Sequence, residues 1–325
     1  MSCLDGYNLM ICSKYFTSIT DFKTVQMVCK KFRQTTMKFH YNPIPLTHKT
    51  HSIYFSKIET LVLYSPEDDI LDDLTFFARK YLYQVTYDKV ATLKGNNIFC
   101  NVLYTISDRS KYGDVPSNMV TEIDKQVYTN SELTSLKLPN VLTAIGDYAF
   151  SGSTQLKELD IPPCVVTIGK YCFFNCFAIE EVVIPKGIKT LFEYTFHQCK
   201  LLKKITLNEG ICTIGRGCFS YCESLNNVKI PESVTEIDHM AFASCYLLEN
   251  VELNENKIKF GFSVNILLLS KTFSLGIKIF FVSVCFINYI KSYNFIINLP
   301  FKKQLIFKIH RTTDKHYRTN TFVIN

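Results

Sequence analysis

The chain has 325 residues, of which 47% are hydrophobic and 20% are charged, and it contains no tryptophan. Its formal net charge of +7 is uneven, because residues 256–325 hold 11 Lys or Arg and a single acid, Asp314. The preceding part is therefore close to neutral, which excludes the basic surface that nucleic-acid binding requires. The length is sufficient for a large core or for two or three domains.

The cysteines indicate a reducing compartment. There are 13 of them, an odd number, and the segment Met1–Phe16 lacks the long apolar run of a secretory signal. These features are typical of free thiols and predict a cytoplasmic location. Several of the cysteines recur at equivalent positions of a repeat, where a small apolar side chain suits a packed core. We expect buried thiols there, at Cys172, Cys176, Cys199, Cys218, Cys222 and Cys245.

Residues 1–46 are predicted to form an N-terminal helical cap. Tyr7 to Phe16 is apolar enough for one helix, and Thr20 or Asp21 can cap a second helix. Its expected apolar stripe consists of Phe22, Val25, Val28, Cys29 and Phe32. The Pro-rich sequence at 42–45 stops the helical region.

Residues 47–114 are predicted to be divergent early repeats. Ile58-x-x-Leu61-x-Leu63 matches the strand pattern of the units that follow, and Leu82-x-x-Val85-x-Tyr87 matches it loosely. The rest of the unit is not recognisable in this stretch.

Residues 115–253 repeat with a fixed period after one slipped unit. The recurring phenylalanines, which define the period, are Phe150, Phe173, Phe196, Phe219 and Phe242. Five residues before each of them stand Ile145, Ile168, Leu191, Ile214 and Ile237. A fixed period of this length predicts a solenoid, in which each unit buries its apolar face against its neighbours.

Each unit contains one clear strand. The segment Leu-x-x-Val-x-Ile alternates apolar and polar residues, and a proline directly after it ends the strand at 139, 162, 185 and 231. The polar positions of these strands point outward and form the candidate concave binding face, for which we expect a protein partner. Its residues are Glu158, Asp160, Glu181, Val183, Lys204, Thr206, Asn227, Lys229, Asn250 and Glu252.

Residues 254–325 break the pattern. Asn265 stands where phenylalanine is due, and Ala, Glu and Met are absent from 256 to 325. Three interpretations are open: a frame change or retained intron that leaves an unstructured segment, a membrane anchor, or a divergent capping repeat. The best window for an anchor is 272–290, but it contains Lys278, and its longest charge-free run is shorter than the roughly 20 residues that a span needs.

The sequence predicts no enzyme, cofactor site or metal site. The common phosphate-binding and zinc-binding motifs are missing, and no nucleophile stands with a base in a recognisable pattern. His48 and His51 could be half of a metal site, but a solvated polar loop is the simpler interpretation.

The repeat resembles a known family. The wording Pro-x-x-Val-x-x-Ile-Gly-x-x-Ala/Cys-Phe-x-x-Cys-x-x-Leu-x-x-Val-x-Ile, clearest from 161 to 253, resembles the 23-residue BspA-like (Treponema-type) leucine-rich repeat. The N-terminal segment with Cys29-Lys30-Lys31-Phe32 looks like the cap of such proteins in parasitic amoebae. The resemblance implies an α/β leucine-rich-repeat solenoid with a helical cap, and a protein-binding role in surface association or adhesion.

A second resemblance leads to a different role. Residues 7–33, with Tyr15-Phe16, Asp21-Phe22 and Val28 to Phe32, resemble an F-box, although its opening Leu-Pro is absent. This implies the alternative of an intracellular adaptor that recruits a partner through its repeats.

Overall fold

The structure, a computed structural model, describes residues 6–28, 30–253, 257–261, 296–298 and 304–306. The helices are α1 (Gly6–Ser13), α2 (Ile19–Val28), α3 (His48–Tyr54), α4 (Tyr87–Thr92) and α5 (Ile106–Tyr112), with 3-10 turns at Lys30–Phe32 and Thr35–Lys38. The strands are β1 (Thr60–Leu63), β2 (Ala78–Thr86), β3 (Asn97–Tyr104), β4 (Glu122–Ile123), β5 (Ser135–Leu136), β6 (Ala144–Ile145), β7 (Glu158–Leu159), β8 (Thr167–Ile168), β9 (Glu181–Val183), β10 (Thr190–Leu191), β11 (Lys204–Thr206), β12 (Thr213–Ile214), β13 (Asn227–Lys229), β14 (Glu236–Ile237), β15 (Asn250–Glu252), β16 (Lys259–Phe260), β17 (Ile296–Asn298) and β18 (Gln304–Ile306).

The chain divides into two compact units, Met1–Phe281 and Val282–Asn325. In the second unit, β17 pairs with β18 in antiparallel fashion. In the first unit, the described strand pairs are parallel, as expected when each coil is one turn of a solenoid.

The first sheet shows that the coils lengthen along the chain. Its strand order is β1-β2-β3-β4-β6-β8. Thr60 pairs with Ala78 near its start, whereas Ala144 pairs with Thr167 at its end, so the later pair is farther apart in sequence. The early coils are therefore shorter than the regular units and contribute to one sheet only.

Each regular coil contributes a strand to two separate parallel sheets. One has the order β9-β11-β13-β15 and the other β10-β12-β14-β16, and β5 pairs with β7. The sequence predicted the strands of the Leu-x-x-Val-x-Ile segment but missed the second sheet, because its strands are only two residues long at the recurring Ile or Leu.

A third ladder of hydrogen bonds runs along the phenylalanine turns. The amide of Phe173 donates to the carbonyl of Thr195 at 2.8 Å, and the amide of Phe196 donates to Cys218 at 2.8 Å. Two residues before the Phe, Tyr148, Tyr171 and Tyr194 adopt left-handed backbone conformations with φ of 54–57°. Non-glycine residues rarely adopt this conformation, and here the bonds between coils hold it.

The core is a stack of aromatic rings. Phe173 and Phe196 are fully buried with ring centroids 5.2 Å apart, and Phe219 lies 5.6 Å from Phe196 on the other side. These rings are nearly parallel, so the spacing of the coils becomes the spacing of the stack.

The cap covers the first coil. Phe22, Phe39 and Phe55 meet edge to face, with centroids 5.3–6.1 Å apart. Tyr41 forms an isolated parallel bridge with Thr60. The buried side chain of Asn42 bonds both the amide and the carbonyl of Val62, at 2.6 and 2.8 Å, and so satisfies polar groups at the outer edge of β1.

The cap differs from the sequence prediction in one respect. Phe22 and Phe32 are buried as expected, but α2 ends at Val28, whose side chain is 69% exposed. The predicted apolar stripe was wrong at Val28 because the chain turns into a 3-10 helix after it and no longer keeps the α-helical period.

The early segment also differs from its predicted alignment. The residues matched to the Leu-x-x-Val-x-Ile strand lie in β1 and β2, which continue the sheet of β4, β6 and β8 instead. Tyr87 begins α4 and lies outside the strand. The alignment was therefore wrong, and the descent of residues 47–114 from divergent repeats stays a prediction.

The repeat continues beyond the predicted boundary at 253. In β16, Lys259 pairs with Glu236 and Phe260 pairs with Ile237, each one full period earlier in the chain. The window 272–290, the possible membrane anchor, lies outside the described residues. Within the described ranges, no helix has both the length and the apolar character needed to cross a bilayer.

Candidate functional site

The predicted binding face lies mainly on one sheet. Its residues are Glu181 and Val183 on β9, Lys204 and Thr206 on β11, Asn227 and Lys229 on β13, and Asn250 and Glu252 on β15. Glu158 lies on β7, in a separate ladder, and Asp160 follows that strand. The structure thus brings eight of the ten residues together on the four-stranded sheet, which we call the strand face.

The strand face is exposed and carries charges of both signs. Lys204 stands directly opposite Glu181 in the ladder, and Glu252 stands opposite Lys229. Val183 is 59% exposed among these polar neighbours. Their alternation with buried Val182, Ile205 and Val228 is the reason that the polar side chains point outward.

An ion pair between coils borders this face. Lys203 Nζ donates to Glu180 Oε2 at 2.6 Å, and this hydrogen bond holds the pKa of the Glu180 carboxyl below its usual range. Both side chains are about half exposed, so the pair contributes little to stability.

The two histidines near residue 50 lie on a helix. Thr47 caps α3 in a reciprocal capping box with Thr50, so the predicted loop was wrong. His48 Nε2 lies 3.2 Å from Asp73 Oδ1, and burial lowers the pKa of His51. Within the described part of the chain, no group of three or more His, Cys, Asp or Glu side chains is arranged to hold a metal ion.

The recurrent cysteines are free thiols that donate hydrogen bonds to backbone carbonyls. In successive coils the Sγ atoms of Cys176, Cys199 and Cys222 donate to phenylalanine carbonyls of the preceding coil, at 3.1–3.3 Å. Ser153 makes the same bond to Tyr128 at 2.7 Å. Burial raises the pKa of Cys176 to about 12, so this thiol is protonated and unreactive at neutral pH.

The sequence did not predict an aromatic surface that lies along the third ladder of hydrogen bonds, at the phenylalanine turns. The rings of Tyr148 and Tyr171 stack with centroids 4.7 Å apart, and Tyr194 lies 5.0 Å beyond Tyr171. Phe174 stacks on His197 at 4.8 Å, and Tyr221 meets His197 edge to face at 5.4 Å. We call this surface the turn face; its residues are Tyr148, Tyr171, Phe174, Tyr194, His197 and Tyr221.

The signal for this surface was present in the period. Tyrosines recur once per unit at 148, 171 and 194, two positions before the core phenylalanine. His197 is held among these rings with Nδ1 at 2.5 Å from Ser220 Oγ, and burial lowers the pKa of its imidazole. Neutral aromatic groups with a few polar tips are typical of protein interfaces.

Comparison with known proteins agrees with the geometry. Residues 121–264 match the family model for the BspA type leucine rich repeat region in six copies. Residues 121–264 are thus a BspA-type leucine-rich repeat region. Its repeating unit, its parallel ladders and its short coil strands are the structural counterpart of that match. No curated protein matches the chain.

Several solved leucine-rich repeat proteins are similar to this chain. A leucine-rich repeat protein from Bacteroides ovatus is 20% identical with a TM-score of 0.42; the match covers 64% of this chain and 46% of that protein, so this chain spans less than half of its length. The T. pallidum leucine-rich repeat protein is 22% identical with a TM-score of 0.33, over 53% of this chain and 80% of its own. A leucine rich cell surface protein from Faecalibacterium prausnitzii is 17% identical with a TM-score of 0.32, over 61% and 73%.

Proposed function

We propose that this protein is a non-enzymatic scaffold that binds another protein through the strand face. The observation that carries the proposal is the exposure of Glu181, Lys204 and Asn227, which stand in register on adjacent parallel strands, with Lys229 two residues further along β13. A rigid ladder presents these side chains at fixed spacing without any ordering cost for the backbone on binding, and preorganisation of this kind favours affinity.

The charge pattern limits the kind of partner. Acidic side chains stand at the Glu158 and Glu181 end, and Lys204 and Lys229 follow. A complementary surface needs basic groups first and acidic groups next, which gives one preferred direction along the solenoid. Val183 supplies an exposed apolar contact within this pattern.

A photo-crosslinking residue at position 183 tests this proposal. Val183 on the strand face is 59% exposed, and Val166, which lies ahead of β8, is a matched control at 54%. We expect a protein adduct from position 183 that position 166 does not give and that Lys204→Glu abolishes. Equal adducts from both positions, or adducts unchanged by Lys204→Glu, would show that the strand face is not the binding site.

Two settings for this scaffold follow from different parts of the chain. The BspA-type repeats support a surface or adhesion role, since members of this family are regarded as such. Labelling of intact cells with an impermeant reagent tests it: modification of the chain before lysis supports the role, and modification only after lysis contradicts it.

The adaptor alternative is favoured by the cap. Tyr15 and Met27 are each 83% exposed and Val28 is 69% exposed, so the cap presents apolar side chains to solvent. We expect an F-box-type adaptor to be captured by a Skp-like protein, and Met27→Asp with Val28→Asp to prevent capture. The matched surface change Lys23→Asp on the same helix should have no effect. Absence of capture by the unaltered chain removes this alternative.

A further inference from the structure

The turn face has a charged row along one side. Its members, one per coil, are Asp147, Lys170, Glu193 and Arg216. Each directly precedes Tyr148, Tyr171, Tyr194 or the equivalent Gly217, so the charged row advances by one repeat unit per residue, as the tyrosines do. Lys170 Nζ lies 2.8 Å from Glu193 Oε1 within the chain, and both side chains remain more than 40% exposed.

The order of these charges complements its own reversal. Read along the solenoid, the row is acid, base, acid, base. When a second copy is laid face to face in the opposite direction, Asp147 meets the other copy's Arg216, and Lys170 meets the other copy's Glu193. A two-fold axis requires this reciprocity, in which residue i contacts j and j contacts i.

The aromatic row follows the same reversal. Tyr148 and Tyr221, at the two ends of the turn face, are 39% and 41% exposed. Tyr171 meets the other copy's Tyr194 at the centre, so the stacked tyrosines face each other across the axis.

We propose that two copies of this chain associate through the turn face, antiparallel, about a two-fold axis between the coils of Lys170 and Glu193. The tyrosines form the centre of the contact and the charged row forms its rim, which is the usual arrangement of a protein interface. The charges set the direction and the register, since parallel packing or a shift by one coil places like charges together.

The size of the surface sets the strength of the contact. Four coils about 4.8 Å apart place the first and last rows about 14 Å apart, so the patch is small compared with a standard stable interface. We therefore expect a weak dimer. This inference concerns a surface separate from the strand face, so it stands or falls independently of the proposed partner-binding role.

Sedimentation velocity of the full-length chain from about 5 µM to about 1 mM tests the proposal. We expect a concentration-dependent dimer. Glu193→Lys sets two basic side chains against each other and should weaken association about 10-fold or more. The double change Lys170→Glu with Glu193→Lys restores both the internal pair and the contact across the axis, so it should return the affinity to within about threefold of the unaltered chain.

Controls separate this contact from others. Lys204→Glu on the strand face should leave association unchanged, and Tyr171→Ala should weaken it. Thermal unfolding followed by circular dichroism checks that each variant folds. A chain that is monomeric at every concentration overturns the proposal, and so does a dimer whose affinity is the same in Glu193→Lys or is not restored by the double change.

Discussion

At the scale of single residues, the stacked phenylalanines are among the largest fully buried side chains of the core. Phe196 is fully buried between Phe173 and Phe219. We expect Phe196→Ala to lower the free energy of unfolding by about 3–5 kcal/mol, because it removes buried apolar area and leaves a cavity that two neighbouring rings cannot fill. Urea unfolding measures this loss.

The control for this change is an exposed position of the same region. Lys204→Ala should alter the free energy of unfolding by less than about 0.5 kcal/mol. An unfolding midpoint for Phe196→Ala equal to that of the unaltered chain would contradict the stacked core.

The cysteine position tests a hydrogen bond. Cys199 donates to the carbonyl of Phe173 at 3.3 Å, and valine would fill the space without a donor. We expect Cys199→Val to cost about 0.5–1.5 kcal/mol, because the Phe173 carbonyl loses one of its two donors and keeps the amide of Cys176 at 3.3 Å. Cys199→Ser should cost less, since Ser153 makes the equivalent bond in an earlier coil. Urea unfolding of the two variants measures both losses. A valine variant less stable than the serine variant shows that the hydrogen bond matters more, and the opposite order shows that packing matters more.

Residue identity alone predicted these buried positions but not the turn face. Phenylalanine and cysteine at fixed intervals indicate a core whatever the backbone does. Tyr148, Tyr171 and Tyr194 lie on the surface because their left-handed backbones turn the side chains outward. Tyrosine does not favour this conformation, so its occurrence depends on hydrogen bonds from neighbouring coils and cannot be inferred locally.

At the scale of elements, Gly169, which directly follows β8, permits the close approach of neighbouring coils. A Cβ atom on Gly169 would lie 2.5 Å from the backbone nitrogen of Asp147. We expect Gly169→Ala to destabilise the chain by about 1–3 kcal/mol through overpacking. Thermal and urea unfolding measure the change.

The equivalent position three coils later is Asp238, which carries a Cβ atom, so the constraint is not shared by every coil. A Gly169→Ala variant as stable as the unaltered chain would show that the close approach at Gly169 has no energetic consequence.

The longer strands of each unit were predictable from the sequence and the two-residue strands were not, for a physical reason. The strands of the Leu-x-x-Val-x-Ile segment alternate over several residues, and such alternation is specific to a strand. The strands at the recurring Ile or Leu are pairs such as Thr167–Ile168, which are too short to show a period. In the early coils the longer strands β2 and β3 belong to the six-stranded sheet of β4, β6 and β8, and the sequence pattern does not distinguish them from strands of the Leu-x-x-Val-x-Ile segment.

At the scale of the whole molecule, buried thiols make the fold sensitive to alkali. Burial raises the pKa of Cys176 and Cys245 to about 12, above the ordinary value of 9.0. Between these values the unfolded chain has lost protons that the folded chain retains, so the stability present below pH 9 falls as the pH rises toward 12. Each such thiol contributes a loss of about 1.4 kcal/mol per pH unit in that interval.

Urea unfolding at several pH values between 8 and 10.5 measures this dependence. Cys176→Ser removes one titrating thiol and should flatten the fall in stability above pH 9. A midpoint that is constant over this range would contradict the burial of the thiols.

The period predicted the architecture of the repeat region correctly. The fold class and the parallel stacking of coils are shown by the ladders and by the BspA-type repeats matched over residues 121–264. The period could not predict which surface of the solenoid binds, because every surface repeats with the same step. The choice depends on exposure and on side-chain contacts between coils, such as Phe174 on His197.

In both regular sheets, each strand pairs with the equivalent strand of the next repeat unit. Excising or duplicating one whole unit brings each remaining strand beside an equivalent neighbour, so the joints between units are preserved. Unequal recombination among the similar gene segments that encode these units would therefore produce shorter and longer molecules that still fold. Variation in length is thus available to this lineage without the invention of any new contact.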